Sequence, residues 1–266
     1  TGLGIGATRC APEHDWQVWA ETSLGRMVNL RARHPAFLRR RRTTSTSFTA
    51  LVLAMFPVIP FHAILDTPMC NLYSQTKSQD AMRHVFDDMV DGDEVYEDLV
   101  GNLPPMAGIF PDYAAPIIRP RIAGGTPQGW QLTRARWGMP TPQVFLEGKR
   151  TDPGVTNIRN VASPHWRRWL GVQHRCLVPF TSFSEIDSRP GAPRNHPVWF
   201  ALGADRPLAF FAGLHTEWTS VRKLKEGEVT ADLFAFLTCP PNAEVAPVHP
   251  KAMPVILTEP AEWETW

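Results

Sequence analysis

Leu208-Ala-Phe-Phe-Ala-Gly-Leu214 and Leu233-Phe-Ala-Phe-Leu-Thr238 decide the fold class. Both runs are short, apolar and rich in aromatics, and turn-forming prolines flank them at Pro207 and Pro240. Such runs read as strands. Working outward, Ile117–Arg119, Trp130–Trp137, Val198–Leu202 and Val255–Leu257 have the same character. Gly101–Pro105 and Pro111–Pro116 are turn-rich, and the Arg/Pro/Gly stretch Arg189–Arg194 reads as an exposed loop. Helical signals are fewer. Thr76 and Gln79 have the spacing of a capping box, followed by Met82, Val85, Phe86 and Met89 at helical intervals. Pro164–Trp169 reads as part of a second helix carrying Arg167 and Arg168. Many short strands with few helices predict an α+β chain: one domain with a curved, mostly antiparallel β core and peripheral helices.

The 266 residues suffice for a sizeable core, and 43% hydrophobic with 20% charged residues is ordinary for a globular protein. The net charge of +1 excludes a globally basic nucleic-acid binder. It conceals an asymmetry, because residues 1–69 hold eight Arg against four acids, leaving the rest slightly acidic. Any phosphate binding by the main body must come from a local cluster. The four cysteines, Cys10, Cys70, Cys176 and Cys239, form no C-x-x-C pair and have no His at zinc spacing. No structural zinc, other metal or cofactor is expected, and the scattered thiols suit a reducing compartment at least as well as a disulfide framework. Cys176, in an apolar run, reads as a buried inert thiol.

Residues 1–69 show no clean periodicity. The basic block Arg39–Arg42 precedes the apolar stretch Phe48–Leu65, a pairing that resembles a signal peptide or an anchor. Pro57 and Pro60 interrupt the stretch, it falls short of the ~20 residues a spanning helix needs, and no small-residue cleavage site follows. The expectation is therefore an N-terminal extension over 1–69, disordered or a mis-assigned start with Met69 as initiator. A cytoplasmic domain over 70–266 would follow, without a membrane partner.

Several motifs stand in a fixed order: MCNLYS at Met69–Ser74, ARWGMP at Ala135–Pro140, TNIRNVAS at Thr156–Ser163, RCLVPFTSFSEI at Arg175–Ile186, FFAGLHTEW at Phe210–Trp218, and a closing segment from Phe234 to Leu257. Singly they are weak; Glu185 could be a surface carboxylate and His249 a turn residue between Pro247 and Pro250. Together they cover nearly all of 69–266 and resemble the SRAP family, the SOS response-associated peptidases. The resemblance implies a protein that recognises abasic sites in single-stranded DNA and crosslinks to them covalently. It makes Cys70 the nucleophile, Asn157 a group positioning the opened sugar, and Glu185 and His249 acid–base groups. Arg159 becomes a phosphate contact, Trp137 a packing or stacking residue near the DNA, and Asn71 and Lys251 DNA neighbours. Where many relatives read Met-Cys-Gly-Arg, this chain has Asn71 and Leu72. Where they have His-Asp-Arg-Met-Pro, it has His249-Pro250-Lys251-Ala252-Met253-Pro254, so Lys251 stands in for the arginine without its planar fork.

The chemistry suits these residue types. An N-terminal Cys carries an amine and a thiol on adjacent carbons, able to close a thiazolidine ring on an aldehyde. An α-amino pKa of about 7.7–8.0 leaves part of the amine neutral near pH 7. A Glu of raised pKa and a His can move the protons. Arg134, Arg136, Arg167 and Arg168 could extend a cationic track beyond Arg159. An alternative reading is a cysteine peptidase acting in self-processing through Cys70, His249 and Glu185. A monomer is expected.

Overall fold

The computed structural model describes residues 16–21, 27–29, 72–87 and 96–266. Within them the strands are β1 (Gln17–Glu21), β2 (Met27–Asn29), β3 (Leu72–Gln75), β4 (Tyr96–Asp98), β5 (Met106–Ile109), β6 (Ala114–Ala123), β7 (Thr126–Trp137), β8 (Asn157–Ile158), β9 (Arg175–Phe180), β10 (Ser182–Ile186), β11 (Pro197–Ala201), β12 (Ala209–Val221), β13 (Glu228–Cys239), β14 (Met253–Pro254) and β15 (Ile256–Leu257). Two short helices accompany them, α1 (Gln79–Asp87) and α2 (Pro260–Thr265).

One sheet has the order β2-β1-β11-β10-β3-β5. The other follows β14-β13-β12-β9-β6-β7-β4, with β8 added to β13 and β15 to β12. A parallel contact between β13 and β7, Leu233 opposite Arg136 and Phe234 opposite Trp137, closes β6, β7, β13, β12 and β9 into a barrel. Most other pairings are antiparallel, so the expected α+β architecture with a curved β core is the one observed.

The two deciding runs show why the core is aromatic. Along β13, Phe234 and Phe236 enter one apolar cluster while Leu233, Ala235 and Leu237 enter another. Phe211 and Phe210 divide in the same way on β12. Side chains alternate along a strand, and here both faces are covered, which gives a continuous apolar run instead of an alternating one. Tyr73 of the first sheet reaches into the inner cluster, edge-on to Trp137 at 5.1 Å and to Phe211 at 5.7 Å between ring centroids. Each fully buried side chain of this size is worth about 1.5–3 kcal/mol, so this shared cluster is what joins sheet to barrel.

Three local expectations need correction. The capping box does not form: Ser78 Oγ accepts from the Ala81 amide at the start of α1, while Thr76 hydrogen-bonds Thr181 and Gln79 reaches Asp98. Met82 is buried as expected, and Met89 lies outside the described residues. Pro164–Trp169 is not an α-helix; a single 3-10 turn covers Arg167–Trp169, anchored by buried Trp166 and Trp169. Finally, part of 1–69 is regular: β1 pairs with β11, and Trp16 lies in the inner core at 1% exposure.

Candidate active site

Glu185 sits near the end of β10, with Val198 of β11 opposite it on one side. On the other side β3 pairs with β10, Leu72 opposite Ser184 and Ser74 opposite Ser182. Hydroxyls fasten this seam. Ser74 and Ser182 share a 2.7 Å hydrogen bond, Thr181 Oγ1 donates to the Ser74 carbonyl at 3.2 Å, and Ser184 Oγ donates to the Leu72 carbonyl at 3.3 Å. The Thr-Ser-x-Ser-Glu run is thus a seam of small hydroxyl residues ending in the carboxylate. The described part of β3 begins two residues after Cys70, and two residues span at most about 7 Å.

His249 closes a turn that Asn242 organises: its side-chain oxygen accepts from the amides of Glu244 and Val245, and the His249 amide donates to the Val245 carbonyl at 2.8 Å. Ser188, just beyond β10, donates from its amide (3.0 Å) and its hydroxyl (2.7 Å) to the Val248 carbonyl. This clamp fixes the His249 turn against the strand that carries Glu185. His249 Nε2 lies 3.8 Å from Glu185 Oε2, and both side chains are buried, at 5% and 2% exposure. That gap is too long for a direct hydrogen bond but leaves an oxygen atom room to touch both groups at once. Burial holds the His249 ring below its ordinary pKa. The Ile186 carbonyl opposes this, and the charges of Lys251 and Arg159 add to it. The ring is therefore a neutral base at pH 7, with two cations beside it.

Asn157 is buried on β8, which runs parallel to β13 opposite Phe236, and its side-chain amide donates to Thr156 Oγ1 at 3.0 Å. Arg159 follows two residues on, is exposed, and makes no ion pair among the described residues. Trp137 supports this segment from within, its indole N–H donating to the Thr156 carbonyl at 3.1 Å. Gly138 follows with φ +138°, and beside it the Arg222 guanidinium passes between Gly138 and Gly154. A Cβ on either glycine would come within 2.3 Å of that guanidinium. Arg222 is held by Asp112 (3.3 Å) and Asp152 (3.7 Å), and Asp152 also accepts from Thr141 and the Gly154 amide.

The structure thus brings Glu185 and His249 together, with Arg159 and Lys251 near enough to bear on the His249 ring through their charge, and puts Asn157 on the strand leading to Arg159. Cys70 and Asn71 lie outside the described residues. Of the two roles expected for Trp137, its surroundings fit packing and leave no ring face for a base: it is fully buried, against Phe234, Phe236 and Tyr73. Arg136 is no part of a cationic track, because Asp112 engages it at 2.6 Å through two nitrogens and Glu226 at 3.0 Å. Arg134, Arg167 and Arg168 are exposed. Cys176 is a buried free thiol whose pKa burial pushes up. Sequence reading missed Ser188, Arg222 and Gly154. The only sequence signal for Arg222 was indirect, a glycine after Trp137 and another near Asp152.

A family model described as "SOS response associated peptidase (SRAP)" matches residues 69–266. The chain belongs to the SRAP family. No curated protein matches it. Similar solved structures include a protein from Bordetella bronchiseptica, 23% identical, TM-score 0.49, covering 73% of this chain and 87% of that one. Another, from Bacteroides thetaiotaomicron, is 19% identical with TM-score 0.50, covering 73% and 80%. A phage-related protein from Bordetella bronchiseptica is 19% identical with TM-score 0.46, covering 71% and 77%. At these identities the Bacteroides likeness speaks for the SRAP fold alone. Family membership ties the chain to the SOS response to DNA damage and to a peptidase-like or DNA-processing role. Among the described residues no helix is long and apolar enough to cross a membrane.

Proposed function

We propose that this SRAP protein captures abasic sites in single-stranded DNA as a covalent thiazolidine on an N-terminal Cys70. The observation that carries the reading is the buried Glu185–His249 pair with Arg159 and Lys251 beside it, on the strand paired with the one that follows Cys70. In the first step the Cys70 amine attacks the aldehyde of the ring-opened deoxyribose, and the aldehyde oxygen departs as water with two protons. Glu185 and His249, 3.8 Å apart, suit the transfer of those protons to a single oxygen between them. The thiolate then adds to the C=N bond while nitrogen takes up a proton, and the five-membered ring closes. Neutral His249 opens the sugar by accepting the proton of its anomeric hydroxyl as the bond from C1 to the ring oxygen breaks, and the ring oxygen takes up a proton to become a free hydroxyl. Asn157 orients the sugar, and Arg159 and Lys251 hold the flanking phosphates. This assigns a cytoplasmic protein that associates with the nucleoid when DNA is damaged and acts as a monomer.

With residues 1–69 attached, Cys70 has a thiol but no free amine. The family's peptidase designation favours a second reading, in which Cys70, His249 and Glu185 cleave the Met69–Cys70 bond. The test uses the full chain with a site-specific protease sequence ahead of Cys70, so that cleavage leaves Cys70 first. Incubation with abasic single-stranded DNA should give a species that survives denaturing electrophoresis, absent from Cys70→Ala and from uncleaved chain. No such species from the cleaved protein, with Cys70→Ala indistinguishable from it, defeats the reading.

A further inference from the structure

Strand β11 reads Pro197-Val-Trp-Phe-Ala201, with no charge and three β-prone residues in succession. A sheet edge is ordinarily protected by charges, bulges or covering segments, and beyond Pro197 this strand has none in its own sequence. Its outer side is covered by the N-terminal segment: Gln17, Val18, Trp19 and Ala20 stand opposite Ala201, Phe200, Trp199 and Val198. β2 then pairs with β1 as a short hairpin partner. Trp16 anchors the start, packed edge-on against Phe183 at 6.3 Å, which in turn stacks on Phe200 at 5.3 Å. The register continues into the site, because Ala20 faces Val198 and Val198 faces Glu185.

We propose that β1 and β2, with Trp16 ahead of them, are the donated strands of a leader that stays bound along β11 after the chain is cut ahead of Cys70. The interaction surface is the β11 edge with the Trp16 slot. Its occupant is an extended peptide of this chain's own leader, held by main-chain hydrogen bonds and one buried indole. The scission rests on the Cys70 reading; the docking does not. Covering β11 keeps an apolar strand from pairing between molecules and steadies the neighbour that carries Glu185.

The experiment uses the same full chain with a protease sequence ahead of Cys70. After cleavage under native conditions the leader should co-elute with the body on size exclusion and separate only in denaturant. Backbone amides of Val198–Ala201 should stay protected from hydrogen exchange. Trp16→Ala should weaken retention about a hundredfold or more, the scale of losing a buried indole, and Trp16→Phe should restore most of it. A leader that leaves at once, with Val198–Ala201 exchange and thermal midpoint unchanged, overturns the proposal, as does retention indifferent to Trp16→Ala. Crosslinking is read on the same samples. Leader loss with crosslinking intact defeats the docking alone, and retention without crosslinking defeats the Cys70 reading alone.

Discussion

Gly138→Ala tests the idea that the Trp-Gly turn exists to let Arg222 through. The new Cβ would lie 2.2 Å from Arg222 Nη2 and 3.5 Å from the Gly154 Cα. An arginine tip can often move aside, but this one is 3% exposed, and Gly154 confines it from the other side, where a Cβ would meet both Nη atoms at 2.3 Å. Forcing the side chain out costs about 1–3 kcal/mol as overpacking. The backbone adds about 1–3 kcal/mol, since φ +138° suits only glycine. The expected loss is therefore about 2–6 kcal/mol, a large share of a typical 5–15 kcal/mol stability. Urea titration should show the midpoint falling by about 1–2 M at unchanged slope. Arg222→Ala removes the steric part and leaves the backbone part, so the double variant should recover at least about 1 kcal/mol relative to additivity. Additive effects to within about 0.5 kcal/mol would refute the slot.

Three further outcomes are expected. Ser188→Ala removes the 2.7 Å bond to the Val248 carbonyl for about 1 kcal/mol of stability. Its crosslinking rate should fall more than its thermal midpoint does, and equal effects would place Ser188 outside the site. His215 is buried, and burial lowers its pKa to about 3. The folded ring stays neutral where the unfolded one protonates, so stability is full above pH 6.5 and falls by on the order of 3–5 kcal/mol between pH 6.5 and 3; His215→Gln should flatten that slope in pH-dependent denaturation. Arg159→Ala should weaken binding to single strands of any sequence and reduce the slope of log affinity against log salt by roughly 0.7, whereas an unchanged slope removes Arg159 from the phosphate contacts.

Strand runs were legible where both faces are apolar, as at Leu208–Leu214 and Leu233–Thr238, because burial on two sides leaves a dense local signal. The strands around Glu185 were not. Ser182–Ile186 and Leu72–Gln75 are rich in hydroxyls that bond across the seam, and a seam between residues more than a hundred positions apart leaves no local pattern. Glu185, His249, Arg159 and Asn157 were found through motif order, whereas composition alone would have left Glu185 on the surface. Trp137 was expected near the DNA, as a packing or stacking residue, through the family resemblance. Its neighbour Gly138 and its indole bond to Thr156 show that it shapes the site from inside. The leader strand escaped notice because β1 is five residues long, and it needs β11 to be a strand at all.

The seam between β3 and β10 also sets a timetable. Leu72–Gln75 leaves the ribosome early, but its partner Ser182–Ile186 follows more than a hundred residues later, and the His249 turn later still. At about 5–20 residues per second, the interval between Leu72 and His249 is roughly 10–35 s. Throughout that time the segment next to Cys70 has neither its acid–base pair nor its neighbouring strand. Under the proposed crosslinking role, a nascent chain completes its Glu185–His249 pair only when synthesis is nearly complete, so ribosome-bound fragments cut ahead of Cys70 and ending before His249 should be inert toward abasic DNA.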